Sequence, residues 1–262
     1  MDAEPLKRIA IAAAYKGADI LRTKFGNISR IEKKEAAEIV TEADIGSERQ
    51  IIDCIRSKYP EHAILSEEGG LEKSVSEYTW IVDPLDGTVN FAHNVPIFCI
   101  SIALAIQNVV VLGIILNPVN GELFSAIKDQ GAYLNDKPIK VSSTKMISES
   151  LLGTGFPYNV QGILKPLMTR YENCLSVAQG VRRIGSAALD LCYVACGRFE
   201  AFWEQNLRAW DTAAGALLIT EAGGTVTTFS NRPFTPDRNE ILATNGQIHH
   251  EMISLLELKQ TQ

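Results

Sequence analysis

Between Pro96 and Pro118 the chain is apolar almost throughout, from Ile97 to Leu116, and this stretch leaves it few folds to choose from. As a helix it is long enough to cross a bilayer core of ~30 Å. Three features oppose that reading: Gln107 and Asn108 interrupt the middle, Ile and Val dominate, and a proline closes each end. β-Branched residues favour strands. The run therefore reads as two buried strands joined by a tight turn at Gln107-Asn108, with no membrane span. A third strand, Glu122 to Ile127, follows the turn signal Asn120-Gly121. Together these predict an antiparallel meander from Ile97 to about Val141.

Upstream, Leu6, Ile9, Ala13, Gly17, Ile20 and Leu21 share one helical face. They predict an amphipathic helix over about 5–25, with Asp2 as its N-cap. Two acids precede its short apolar stretch, so it does not read as a secretory signal. Polar strands over about 28–40, a helix over Asp44–Tyr59 and strands at Ala63–Ser66 and Trp80–Val82 follow. Beyond Val141 strands and helices alternate. Strands are expected at Leu151–Gly155, near Val181, and at Phe199–Glu204, Thr225–Phe229 and Ile241–Thr244. Helices are expected at Leu164–Ala178, Ser186–Cys196, Trp210–Ala222 and Ile248–Leu258. Such alternation marks an α/β unit. A chain of 262 residues exceeds the ~250 at which single cores stop growing. Two joined lobes are expected, 1–145 and 146–262, parted within the polar stretch Ser142–Ser150.

Lys and Arg number 25 against 31 Asp and Glu, a formal charge of −6. A general nucleic-acid binder needs a basic field, which this balance does not supply. The five cysteines form no C-x-x-C and read as small buried hydrophobes in a reducing compartment, so a cytoplasmic setting is expected. None of the four histidines has an H-x-x-x-H partner for zinc, and no G-x-S-x-G elbow supports a serine nucleophile.

The chemistry concentrates in carboxylates. In Trp80-Ile81-Val82-Asp83-Pro84-Leu85-Asp86-Gly87-Thr88 an apolar strand ends in an acid, a proline and a second acid. Pro84 and Gly87 require a turn there. Such a turn can bring Asp83, Asp86 and the Leu85 carbonyl to one point, as hard oxygen ligands suited to magnesium. The Gly87 and Thr88 amides can meet an anion. Taken alone, the same segment also reads as an acidic turn. Glu67 and Glu68 follow an apolar strand; neighbours face opposite ways, so Glu67 is expected as ligand and Glu68 behind it. Asp44 and Asp211 each stand at a helix start, either as plain caps or as site residues. Functionally, Asp44 would orient a threonine hydroxyl that activates water. Metals held by Glu67, Asp83, Asp86 and Asp211 could serve phosphoryl transfer, in which paired ions stabilise both attacking and leaving oxygens.

With these residues in place, the sequence resembles the inositol monophosphatase family, one of the magnesium-dependent, lithium-sensitive phosphatases that include fructose-1,6-bisphosphatases. The resemblance covers nearly the whole chain. It rests on D-P-x-D-G-T at Asp83–Thr88, the tryptophan–aspartate motif at Trp210–Gly215, and Glu67-Glu68 upstream. The stretch Arg182 to Leu191 and Gly153-Thr154-Gly155-Phe156-Pro157 are similar to bacterial members. The resemblance implies a layered α-β-α-β-α sandwich with α+β and α/β character and a metal site between the lobes. It implies that Glu67, Asp83 and the Leu85 carbonyl hold a first Mg2+, that Asp83, Asp86 and Asp211 hold a second, and that Glu67 helps with a third. Thr88, oriented by Asp44, would activate water, and the Gly87 and Thr88 amides would hold phosphate. Asp86, Glu204 and the Ala187 backbone would contact substrate. Lys33, eleven residues before Asp44, matches a lysine near the metals. Arg182 and Arg183 are not placed in the site.

The implied activity is hydrolysis of inositol 1-phosphate and similar polyol phosphates by a homodimer. Fructose 1,6-bisphosphate, histidinol phosphate and 3′-phosphoadenosine 5′-phosphate are rival substrates. Glu204 mildly favours a neutral polyol, since a carboxylate accepts hydroxyl hydrogen bonds and repels a second phosphate, a preference that Arg208 is close enough in sequence to offset. A reading of another class is a protein-binding factor in a transcription complex with residual phosphatase activity.

Overall fold

A computed structural model describes residues 3–27, 31–33, 39–72 and 74–258. Helix α1 (Glu4–Lys24) opens the described chain, with Pro5 in its first turn, where the missing N–H would have had no helical partner. Asp2, expected as its cap, lies outside the described residues. Strands β1 (Ile31–Lys33) and β2 (Ile39–Thr41) pair antiparallel and lead into α2 (Glu42–Arg56). Next come β3 (Ala63–Ser66), β4 (Gly70–Glu72), β5 (Tyr78–Asp86) and the short helix α3 (Thr88–Ala92). The meander is β6 (Cys99–Ile106), β7 (Val109–Asn117), β8 (Glu122–Ile127), β9 (Ala132–Leu134) and β10 (Lys137–Ile139). The remaining strands are β11 (Leu151–Thr154), β12 (Gly180–Arg182), β13 (Ala201–Gln205), β14 (Thr225–Thr227) and β15 (Glu240–Thr244). Between and after them lie α4 (Leu164–Leu175), α5 (Ala187–Ala195), α6 (Ala209–Glu221) and α7 (His249–Leu256).

The apolar run forms β6 and β7, joined at Gln107-Asn108 with φ of 50° and 67°. This left-handed pair gives the hairpin turn that matches strand twist. The strands are apolar on both faces because both faces are covered. Ile100, Ile102 and Leu104 of β6 pack under α1 and α2, while Cys99, Ala103 and Ala105 face α5 and α6. Small residues on that second face let the helices come close. A Cβ on Gly113 would stand 2.8 Å from the Ala214 carbonyl oxygen of α6.

Eight strands form the first sheet, in order β10-β9-β8-β7-β6-β5-β3-β4, with β3 and β5 parallel. Five form the second, β12-β11-β13-β15-β14, with β11 parallel to both neighbours and β15 antiparallel to β13 and β14. Helices α1 and α2 cover the outer face of the first sheet, α5 and α6 fill the space between the sheets, and α4 and α7 cover the second. This is a mixed α+β sandwich layered α-β-α-β-α. The five cysteines are free thiols, and four of them are buried. Among the described residues no helix is long and apolar enough to cross a membrane.

Candidate active site

The acid-rich segment does not leave the sheet where a turn was expected. β5 continues through Pro84 to Asp86, and its register with β6 shifts between Asp83 and Asp86. Pro84 has no N–H to offer β6, so the strand bulges, and a bulge re-aims its side chains. Ser47 of α2 holds the bulge by donating to the Pro84 carbonyl at 2.9 Å. The reversal comes one step later, at Gly87, with φ 96°. A Cβ there would meet the Ile97 carbonyl oxygen at 2.9 Å, so glycine is required for both conformation and space.

Three helix starts converge on this bulge. At α2, Thr41 is the N-cap and Asp44 is the third helical residue, reaching back to the Thr41 N–H at 2.8 Å. Its other carboxyl oxygen accepts from the Thr88 hydroxyl at 3.1 Å. Asp44 is thus a capping residue and a site residue at once. At α6, Asp211 likewise is not the N-cap but accepts from the N-cap Arg208 N–H at 2.6 Å. At α5, Ser186 is the N-cap; its hydroxyl donates to Asp86 Oδ2 at 2.5 Å, and the Ala188 N–H donates to the same oxygen at 2.8 Å. Two cross-links hold these starts in place. Asn90 Nδ2 donates to the carbonyls of Ile97 and Ile184, both at 2.8 Å, and Ser101 donates to the Trp210 carbonyl at 3.1 Å.

The result is a cleft of about 1050 Å³ lined by Glu67, Glu68, Asp83, Leu85, Asp86, Gly87, Thr88, Ala187, Glu204 and Asp211. Of the residues singled out from sequence, Asp44 lies beneath the lining, bound to Thr88, and the Lys33 side chain is outside the described residues. Glu204, on β13, is buried. Arg183, kept out of the site on sequence grounds, lines the cleft, whereas Arg182 donates to its neighbour's carbonyl, Val181 O. Sequence reading also missed Ser186 and Asp190, which line the cleft. Ser186 and Asp190 sit inside the Arg182–Leu191 stretch that had drawn notice, so the signal was present without a role.

The carboxylates act strongly on one another. Burial pushes Asp83 well above the usual carboxylate range, and Glu67, Asp86 and Asp211 push it further. Burial and Asp86 do the same to Asp211. Burial raises Asp86, opposed by its bonds from Ser186 and Ala188. Glu68 bears instead on Asp44, which burial lifts to about 6. Both glutamates lie in the turn between β3 and β4 rather than on a strand, so the alternation expected of strand neighbours does not apply, and both line the cleft.

A family model described as "Inositol monophosphatase family" matches residues 2–260. The chain belongs to the inositol monophosphatase family. It is 43% identical to a protein named inositol-1-monophosphatase from Synechocystis sp., over 94% of this chain and 86% of that one. It is 38% identical to one named Nus factor SuhB from Pseudomonas aeruginosa, over 97% and 96% respectively. A solved structure of the extragenic suppressor protein suhB from Bartonella henselae superposes with a TM-score of 0.94 at 35% identity, covering 98% of this chain and all of that one. Family and relatives support a phosphatase, and the inositol monophosphatase family is generally metal-dependent. The donors in the cleft fit that dependence: they are carboxylates and a carbonyl, the hard oxygen set of magnesium-type ions. Among the described residues no three such side chains already close into a coordination shell. The fit lies in their chemistry and in the mutual repulsion that a divalent cation would relieve.

Proposed function

We propose that this chain is a Mg2+-dependent phosphate monoester hydrolase whose preferred substrate is inositol 1-phosphate or a similar polyol phosphate. The observation that carries the reading is the meeting of Glu67, Asp83, Asp86 and Asp211 in one cleft beside the Thr88–Asp44 pair. In this reading Glu67, Asp83, Asp86, Asp211 and the Leu85 carbonyl hold two to three Mg2+. When bound, these ions polarise the phosphoryl group and lower the pKa of water. The chain's own residues do the rest. Thr88 Oγ1 faces two acceptors, Asp44 Oδ1 at 3.1 Å and the Leu85 carbonyl at 3.0 Å, yet has a single proton. Its lone pairs remain open to accept a proton from the attacking water while its own passes to Asp44. The Gly87 and Thr88 amides contact phosphate, and Glu204 with the Ala187 backbone takes the alcohol hydroxyls. Lithium inhibition, a homodimer and a cytoplasmic setting belong to the same proposal.

A second reading draws on the relatives named Nus factor SuhB: a protein-binding role in transcription complexes. The intact acid set argues that catalysis is retained beside any such role. Phosphate release separates the readings. Wild type and Asp86→Asn are assayed with Mg2+ and with a chelator on inositol 1-phosphate, fructose 1,6-bisphosphate, histidinol phosphate and 3′-phosphoadenosine 5′-phosphate. Inositol 1-phosphate should lead, and both the chelator and Asp86→Asn should abolish release. A folded wild type that hydrolyses none of the four would sink the hydrolase reading.

A further inference from the structure

Two glycines of β11 and its end explain a pair of carboxyl groups that the reaction above uses only in part. Gly153 and Gly155 are two apart and so share a face. A Cβ on Gly153 would stand 2.7 Å from Asp190 Oδ1, and one on Gly155 would overlap the Glu204 carboxyl. The Gly153-Thr154-Gly155 segment is thus a cradle cut to fit two carboxyl groups, one from α5 and one from β13. Asp190 is 1% exposed, lines the cleft, and its Oδ1 has no hydrogen-bond partner among the described residues. An orphaned buried oxygen destabilises the fold, so a purely structural position would favour an apolar side chain. Arg183, at the rim, is the cation that acts on both acids.

We propose that Asp190 is a specificity-determining residue: with Glu204 it forms a paired-carboxyl subsite, cradled by Gly153 and Gly155, that accepts two hydroxyl donors from the alcohol part of the substrate. The inference rests on the hydrolase reading and extends it to a residue without a role there. Burial raises Glu204 to about 8 and Asp190 well above the usual range, while Arg183 pulls both down. Hydroxyl groups suit such a pair, because among the described residues Arg183 is the one cation that acts on both acids, Arg208 acting instead on Asp211. The pair comes from α5 and β13, whereas Gly87 and Thr88 stand at the start of α3, so the pair enters the cleft from different elements than the phosphate-contacting amides of the hydrolase reading.

The test uses the full chain with Mg2+, comparing wild type with Asp190→Ala and Asp190→Asn on inositol 1-phosphate and on phenyl phosphate, whose alcohol has no further hydroxyl. In Asp190→Ala the ratio of kcat/KM for inositol 1-phosphate over phenyl phosphate should fall about tenfold, mainly through KM. Asp190→Asn, which keeps one acceptor, should fall between, and neither thermal midpoint should drop, because no partnered group is lost. Equal losses on both esters, or a lower midpoint with an unchanged ratio, overturn the proposal. If the alanine variant does not fold, an unchanged ratio in the asparagine variant alone overturns it. Saturation-transfer NMR of free myo-inositol, with inorganic phosphate present, gives a readout independent of turnover: signal in wild type, weakened in the variants. If wild type hydrolyses neither ester, the hydrolase reading falls and the NMR decides the subsite. Weakened signal then supports it, and equal or absent signals overturn it.

Discussion

A left-handed backbone next to a carbonyl oxygen makes Gly87 hard to replace. Gly87→Ala should lower stability by about 1–3 kcal/mol, read by urea unfolding, because it adds strain at φ 96° and pushes on Ile97. An alanine variant as stable as wild type would contradict this account. One residue on, Thr88 separates a hydroxyl's chemistry from a side chain's shape. Thr88→Ser should keep most activity, while Thr88→Val should lose about 10²–10⁴-fold in kcat with little change in KM. His62 is a different case, a titratable residue away from the site. It is stacked between Tyr59 and Tyr78, and its Nδ1 accepts from the Trp80 indole at 3.1 Å. Burial lowers its pKa. Unfolded histidine takes its proton near ~6.5. Below that and above the folded value the unfolded chain holds more protons, so stability falls as pH drops through this window. His62→Gln should show a shallower loss of urea midpoint between pH 7 and 5, and an identical loss would remove His62 as its source.

Elements place the site more than residues decorate it, and Asn90 of α3 shows how. Its amide spans the end of β5, the start of β6 and the approach to α5, using both N–H groups on carbonyls of Ile97 and Ile184. Asn90→Ala leaves those carbonyls unpaired and should cost about 1–3 kcal/mol by chemical denaturation. It should also lower activity, since α5 holds Asp86; a stable variant with lost activity would show that the cross-link serves geometry alone. The elements legible from sequence were those with a strong pattern. The β6–β7 hairpin followed from Ile and Val between prolines, and α1 from its apolar face. The bulge in β5 was not legible, because Pro84 ends strands as readily as it bulges them, and only pairing with β6 decides. Helix α3, five residues long, has no periodicity to read. Asp44 and Asp211 were seen as helix-start acids, yet their reach back from the third position made the choice between cap and site unnecessary.

At the scale of the molecule the cleft gathers acids from distant parts of the chain: Glu67 after β3, Asp83 and Asp86 in β5, and Asp211 at α6. Spacing alone could nominate these because they lie in motifs. It could not nominate Arg183 or Asp190, whose place depends on how the second sheet meets the first. Concentrating acids in this way has a cost for the fold. Glu204 is raised to about 8 and Asp44 to about 6, with Asp83 and Asp211 raised well above normal. Unfolded carboxylates ionise near ~4. Between that value and the raised folded values the folded chain holds more protons, so this contribution to stability is lost as pH rises. In chelator, the part of the thermal midpoint set by these acids should therefore decline from pH 5 to 8, opposite in sign to the His62 effect. Mg2+ at a hundred times its Kd should add about 2.7 kcal/mol, or about 5–10 °C for a chain of this size. At one fixed Mg2+ concentration the gain should be larger at pH 8 than at pH 6, because fewer protons compete for the acids. Asp83→Asn removes one charge from the centre of the repulsion. It should raise the midpoint in chelator above wild type, blunt the Mg2+ gain and abolish turnover. Scanning calorimetry of both proteins, with and without Mg2+, checks all of these at once. If Mg2+ shifts neither midpoint, the four acids are not a cation site; if it shifts both equally, Asp83 is not at its centre.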